Sequence, residues 1–215
     1  MITPDQTALI LLAAGRSRRF NDGDKLAEPF LDKPLAYHVV TALERIPFQA
    51  RIAVVSATTL DFAALGYDVV ENPDPALSQA RSLGFGVARA QELGCEAVLV
   101  ALADMPRVTA AHVHRLMDAA DGPATIVASS DGVQPMPPAL FGKDMFPMLM
   151  QLEGDHGARD LIRRGHHVIA PPAELVDIDT QEDLRALRER YGLRTDGQPE
   201  PPPARVTRDE ARRSD

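Results

Sequence analysis

The sequence predicts a three-layer α/β fold built on a mostly parallel sheet. Short apolar runs at 8–13 and 97–103 are what strands buried on both faces require. Segments with apolar residues at helical spacing lie between such runs, so strand and helix alternate along the chain. Gly, Pro and capping residues stand where one pattern gives way to the other. Ligands of such sheets bind at the carboxyl ends of the strands, so the segments after the apolar runs are where chemistry is expected.

Taken in order, the first strand is 8–13, followed by a polar stretch rich in Gly and Arg. Pro34 opens a helix reaching Arg45, because proline is pre-organised for a first helical turn. Residues 51–56 and 67–71 read as strands, and 78–93 as a helix stopped by Gly94. The run 97–103 is apolar throughout, turns polar at Asp104 and breaks at Pro106. Thr109 begins a helix carrying Val113, Leu116 and Met117 on one side. A strand at 124–129, helices at 143–152 and 158–164, and strands at 166–170 and 175–178 follow. Thr180 with Asp183 three residues later is a capping-box start for a helix reaching Tyr191 and closed by Gly192. Residues 195–215 offer almost nothing apolar to bury and several prolines, so a disordered tail is expected after a domain spanning 1–194.

Composition narrows the function. With 45% hydrophobic and 25% charged residues in a chain of 215, one soluble globular domain is expected. A net charge of -8 argues against a general nucleic-acid binder. It leaves room for a phosphate ligand, which needs only a local cluster such as Arg16, Arg18, Arg19 and Lys25. No apolar stretch approaches membrane-spanning length, and the N-terminal apolar run precedes its positive charges, the wrong order for a signal peptide. The single cysteine, Cys95, forms no internal disulfide and fits a reducing compartment. A cytoplasmic location is therefore expected.

Three segments carry candidate chemistry. The loop LAAGRSRRFNDGDKL follows a buried strand and combines Gly15 with three arginines and a lysine. Glycine lets the backbone approach a ligand, its neighbours' N–H groups can cradle phosphate oxygens, and Arg and Lys supply counter-charge. The loop fits neither the Walker A nor the G-x-G-x-x-G pattern, and a solvated basic loop would read the same way. Asp104 stands at the carboxyl end of a buried strand, where a carboxylate can hold Mg²⁺ or merely shape a turn. Asp177 and Asp179 alternate in an extended segment, so both point the same way, although Asp179 also directly precedes a helix cap. Of the histidines, His112 and His114 are two apart on a helix and face different directions.

Leu12, Ala13, Ala14 and Gly15, then Arg19-Phe20 and Lys25, resemble the signature loop of sugar-phosphate and cofactor nucleotidyltransferases. The resemblance implies a Rossmann-like sheet of the GT-A-like nucleotidyltransferase type. It also implies a loop around a triphosphate, with Arg19 and Lys25 on its oxygens as the catalytic cations. Asn21-Asp22-Gly23-Asp24 is a longer and more acidic link to the lysine than this pattern usually has. By the same resemblance Asp104 and Asp179 hold the catalytic metal, Mg²⁺, with Asp177 as the weaker candidate.

Further motifs are similar to those of the molybdenum-cofactor cytidylyltransferases within the MobA-like NTP transferases. Arg81-Ser82-Leu83-Gly84 resembles a helix start where the serine reads the base, and Gly154-Asp155-His156-Gly157-Ala158-Arg159 resembles an acceptor-side motif. Asp155, His156 and Arg159 are thereby acceptor-binding candidates. The segment 137–141 resembles the family's P-x-LF, with Pro135-Met136 in place of the expected Gly-Asn. Ala14 matches the LAAG of cytidylyl enzymes, where guanylyl relatives carry LAGG. The implied reaction is transfer of CMP from CTP to the phosphate of molybdopterin with release of pyrophosphate, and a molybdoenzyme or its chaperone is the implied protein partner. Guanylyl transfer, a sugar-phosphate acceptor, or a non-catalytic cofactor carrier remain as alternatives.

Overall fold

The computed structural model describes residues 1–14, 24–56, 58–73, 79–154 and 158–193. The expected tail from 195 onward lies outside them.

In chain order the strands are β1 (Thr7–Ala13), β2 (Pro29–Phe30), β3 (Lys33–Pro34), β4 (Ala50–Val55), β5 (Asp68–Glu71), β6 (Ala97–Leu102), β7 (Ile126–Ser130), β8 (Pro135–Gly142) and β9 (His166–Ile169). The helices are α1 (Leu35–Leu43), α2 (Gln79–Glu92), α3 (Ala110–Asp118), α4 (Phe146–Met150), α5 (Arg159–Arg164) and α6 (Gln181–Arg190). Strands β2 and β3 form a small antiparallel hairpin. The main sheet has the order β5-β4-β1-β6-β8-β7-β9. Its pairings are parallel except for those of β8, which runs antiparallel to both β6 and β7. The mostly parallel α/β fold expected from the sequence is therefore the one observed.

Two-residue periodicity along β1 builds the layers. Leu9, Leu11 and Ala13 enter one core with Val39 and Leu43 of α1 and Val113 and Leu116 of α3. Ala8, Ile10 and Leu12 enter another with Leu83 and Val87 of α2, Leu149 of α4 and Ile162 of α5. Full burial of each of these leucine, isoleucine and valine side chains contributes about 1.5–3 kcal/mol. Gly86 allows α2 to settle closely on the sheet, since a Cβ there would lie 2.8 Å from Ile10 Cγ2 and 3.0 Å from Val54 Cγ2. A third cluster seats Leu184 and Leu187 of α6 against Phe30, Leu35 and Ile178. In addition, the Arg188 guanidinium donates to the Pro29 carbonyl and to Glu28.

Three expectations need correction. Residues 143–152 form a 3₁₀ turn at Lys143–Met145 followed by the short helix α4. Residues 175–178 form no strand: they follow a 3₁₀ turn at Pro172–Glu174, with Leu175 and Ile178 buried by docking. The sequence reading assigned no strand to 135–142, where β8 lies. In β8 the register against β7 shifts between Ala128 and Ser129, passing from Ala139 to Met136 and leaving Pro137 and Pro138 unpaired. A bulge at that point spares two residues that cannot donate to a ladder.

Candidate active site

The carboxyl end of β6 meets the start of α6. Beyond β6, the Ala103 amide donates to the Leu12 carbonyl at 3.0 Å, carrying the β1–β6 ladder up to Asp104. The Asp104 carbonyl then accepts from the Ile178 amide at 3.0 Å. The Asp183 carboxylate accepts from the Thr180 and Asp179 amides at 2.8 and 3.2 Å, while the Asp183 amide donates to Thr180 Oγ1 at 3.1 Å. The predicted capping box is present. It fixes the backbone at Asp179 immediately before the helix.

Lys25 enters from the opposite side. It begins a buried 3₁₀ turn, Lys25–Ala27, and its Nζ lies 2.8 Å from Asp104 Oδ2 and 3.6 Å from Asp179 Oδ1. Three residues singled out in the sequence thus converge from three distant segments. Arg19 and Gly15 lie outside the described residues, so this convergence rests on Lys25, Asp104 and Asp179.

The electrostatics of the cluster are uneven. Asp104 Oδ1 is buried and has no hydrogen-bond partner among the described residues. A buried carboxylate oxygen without a donor is costly, and an ordered water or a cation offsets that cost. Among the described residues no group of three or more His, Cys, Asp or Glu is arranged around one point for a metal. Desolvation pushes the Asp177 carboxyl above its ordinary range, the charges of Asp179 and Asp104 push it further, and Lys25 opposes them. Asp177 is thus electrically coupled to the acid pair.

The same side of Asp177 borders a cavity of about 520 Å³. Leu83, Phe141 and Ile162 line it, together with Met136, Arg159 and Arg163. Leu12 also faces this cavity, whereas Ala13 is buried in the core on the other face of the sheet and Ala14, just after β1, is partly exposed. Arg159 was expected on the acceptor side and lies on the wall; Asp155 and His156 fall outside the described residues. Ser82 is fully buried and accepts from Asn72 Nδ2 at 3.0 Å.

Met136, noted in the sequence as part of a departure from the family's Gly-Asn, also lies on the wall. Sequence reasoning missed Arg163 there, although the i, i+4 spacing from Arg159 was the available signal. It also missed Asp24, which caps the Lys25 turn by accepting from the Leu26 amide at 3.1 Å.

A family model described as the MobA-like NTP transferase domain matches residues 9–168. The chain belongs to this family. Lys25, Ser82 and Asp104 lie inside the matched span, while Asp177 and Asp179 lie beyond it. MobA-like NTP transferases are nucleotidyltransferases, handling nucleoside triphosphates and phosphorylated acceptors. The chain is 28% identical to the purine catabolism protein PucB of Bacillus subtilis over 83% of this chain and 94% of that protein. It is 31% identical to a phosphoenolpyruvate guanylyltransferase of Conexibacter woesei over 74% of this chain and 75% of that one. The crystal structure of Rv0371c from Mycobacterium tuberculosis superposes with a TM-score of 0.72 at 27% identity, covering 87% of this chain and 98% of that one. Rv0371c in complex with manganese covers the same shares at 25% identity, with a TM-score of 0.68.

Proposed function

We propose that this MobA-like transferase moves CMP from CTP to the phosphate of molybdopterin, releasing pyrophosphate, with Mg²⁺ held by Asp104 and Asp179. The observation that carries the reading is the approach of Lys25 to both acids, beside a carboxylate oxygen of Asp104 that lacks a hydrogen-bond donor among the described residues. Hard oxygen donors suit Mg²⁺, which commonly takes one or two carboxylates and completes its shell with water and substrate phosphates. The manganese complex of Rv0371c supports a divalent ion in a related chain of this fold.

The acceptor phosphate oxygen is already anionic, so its attack on the α-phosphorus requires no general base. Attack forms the new phosphate–oxygen bond, and the bond between the α-phosphorus and the β-phosphate oxygen breaks, so pyrophosphate leaves with its electron pair. When bound, Mg²⁺ supplies neutralisation of charge at the α-phosphate. Asp104 and Asp179 would orient that charge, and the Lys25 ammonium beside them, with Arg19 by resemblance, would stabilise the departing oxygens. The work is positioning and charge stabilisation. The cavity next to Asp177 is assigned to the acceptor, with its apolar floor under a flat ring and Arg159 and Arg163 near an anionic group.

A second reading has its own support. The relative acting on phosphoenolpyruvate is a guanylyltransferase, so GTP with a small phosphorylated acceptor is the rival. A non-catalytic carrier is less favoured, because it would not need Lys25 and the acid pair brought together. Incubating the protein with each of the four nucleotides, Mg²⁺, and either molybdopterin or phosphoenolpyruvate separates these readings. Pyrophosphate release with CTP and molybdopterin is expected. Release confined to GTP with phosphoenolpyruvate would transfer the assignment to the rival, and binding of molybdopterin without release for any nucleotide would favour the carrier.

A further inference from the structure

Lys25 sits on a turn whose placement depends on the residue before it. Asp24 Oδ1 accepts from the Leu26 amide at 3.1 Å and so closes the turn that carries Lys25. Its Oδ2 accepts from Thr58 Oγ1 at 2.7 Å and the Thr59 amide at 3.0 Å, with Thr59 Oγ1 further away at 3.4 Å. Thr58 and Thr59 lie just past the carboxyl end of β4, the strand paired with β1 on the side opposite β6. One carboxylate therefore cross-links the lysine turn to the loop beyond β4. Lys25 then reaches across the end of β1 to Asp104, beyond β6.

We propose that Asp24 is a positioning residue of the nucleotidyl-transfer site. It acts through Lys25, fixing where the ammonium stands relative to Asp104 and Asp179. The chemistry of the carboxylate suits this role. One oxygen serves the turn and the other serves the β4 loop, so the turn cannot pivot without breaking contacts on both sides. An acceptor-only group that faces backbone and hydroxyl donors acts as a strut. A misplacement of about 1 Å at a catalytic group can lower the rate on the order of 10²-fold. The proposal rests on the transferase reading, because the effect is exerted on the residue that faces the triphosphate.

A double-mutant cycle tests it. Wild type, Asp24→Ala, Lys25→Ala and the double variant are compared for kcat/KM in pyrophosphate release from CTP with molybdopterin, with melting temperatures measured in parallel. Asp24→Ala is expected to lose on the order of 10²-fold, yet to add less than about threefold in the Lys25→Ala background. Losses that multiply in the double variant would overturn the proposal. Should Asp24→Ala fail to fold, Thr58→Val replaces it, with a smaller loss that likewise disappears in the Lys25→Ala background. A second readout is independent of turnover. Lysines are labelled with ¹³C-methyl groups, and the Lys25 signal is assigned by its absence in Lys25→Arg. That signal should move towards those of solvent-exposed lysines in Thr58→Val and Asp24→Ala. If the wild type turns over none of the nucleotides, the substrate reading fails and this signal decides: movement supports the strut, and an unmoved signal removes it.

Discussion

The Ile178 amide donates to the Asp104 carbonyl at 3.0 Å, and this single bond sets two acidic segments in register. Asp104 lies just beyond β6 at the centre of the sheet, and Asp179 directly precedes the Thr180 cap of α6. Because the bond is made by backbone, either carboxylate can be altered without releasing the other.

The acid pair gives the first expectation. Asp104→Asn and Asp179→Asn should each lower kcat/KM on the order of 10²–10³-fold by removing charge at the transferring phosphate, while the melting temperature changes little. Pyrophosphate release at limiting Mg²⁺ measures the effect. Near wild-type turnover in either variant would take that residue out of the metal site.

Base choice gives the second. Ala14 directly follows β1, and Ser82 is buried within α2. CTP should be used at least about tenfold better than GTP or ATP, equivalent to about 1.4 kcal/mol. Ala14→Gly should relax the preference towards purines. Ser82→Ala should weaken CTP use and also lower stability by about 1 kcal/mol, because the buried Asn72 amide loses an acceptor. A wild-type preference for GTP in kcat/KM would sink the cytidylyl assignment.

Acid should weaken the fold through His112. This residue is fully buried; its Nε2 donates to Ser129 Oγ at 2.7 Å, Ser129 donates to the Pro138 carbonyl at 2.7 Å, and Arg115 donates to His112 Nδ1 at 3.1 Å. Those contacts describe a neutral ring. Burial holds its pKa below the ordinary 6.5, Arg115 lowers it further, and Glu174 opposes them. Burial lowers that of His38 as well, against its bond to the Phe30 carbonyl. The unfolded chain therefore binds more protons than the native one as pH drops below about 6.5. Stability is present above that value and is lost as pH falls towards the native pKa. The melting temperature should decline between pH 7.5 and 5.5. His112→Asn should begin lower by about 1–3 kcal/mol and decline less steeply. An unchanged slope in that variant would exclude His112 as a source of the pH dependence.

Packing gives the fourth. A methyl group at Gly86 would press on Ile10 and Val54, both fully buried. Helix propensity favours Ala over Gly by about 1 kcal/mol, whereas overpacking costs about 1–3 kcal/mol. Gly86→Ala is therefore expected to be neutral to about 2 kcal/mol destabilising, and Gly86→Val clearly worse. Urea midpoints decide it, and a stabilised Gly86→Val would show that α2 is not tightly seated.

The sequence disclosed most where one physical cause dominated. The fully apolar runs of β1 and β6 predicted central strands, because burial on both faces leaves no polar alternative. Thr180 with Asp183 located α6 to the residue, since capping is local. Long-range compensation was invisible. Three prolines disguised β8, although the bulge opposite Ser129 removes the penalty of Pro137 and Pro138. Leu175 and Ile178 resembled a strand because burial by docking leaves the same apolar signature. Within the site, Asp104, Asp179 and Lys25 were legible from motif order. Asp24 was read only as part of an acidic link, because its partners Thr58 and Thr59 carry no motif.

The grip of Arg188 on Glu28 and Pro29 has a consequence during synthesis. Lys25 and Asp104 are both made well before α6, which lies near the end of the described residues. The helix that carries Arg188 follows Asp179 and braces the segment after the Lys25 turn. Until α6 docks, Phe30, Leu35 and Ile178 lack the Leu184 and Leu187 side chains that bury them. The lysine turn near the start of the chain thus gains this brace from a helix made some 160 residues later.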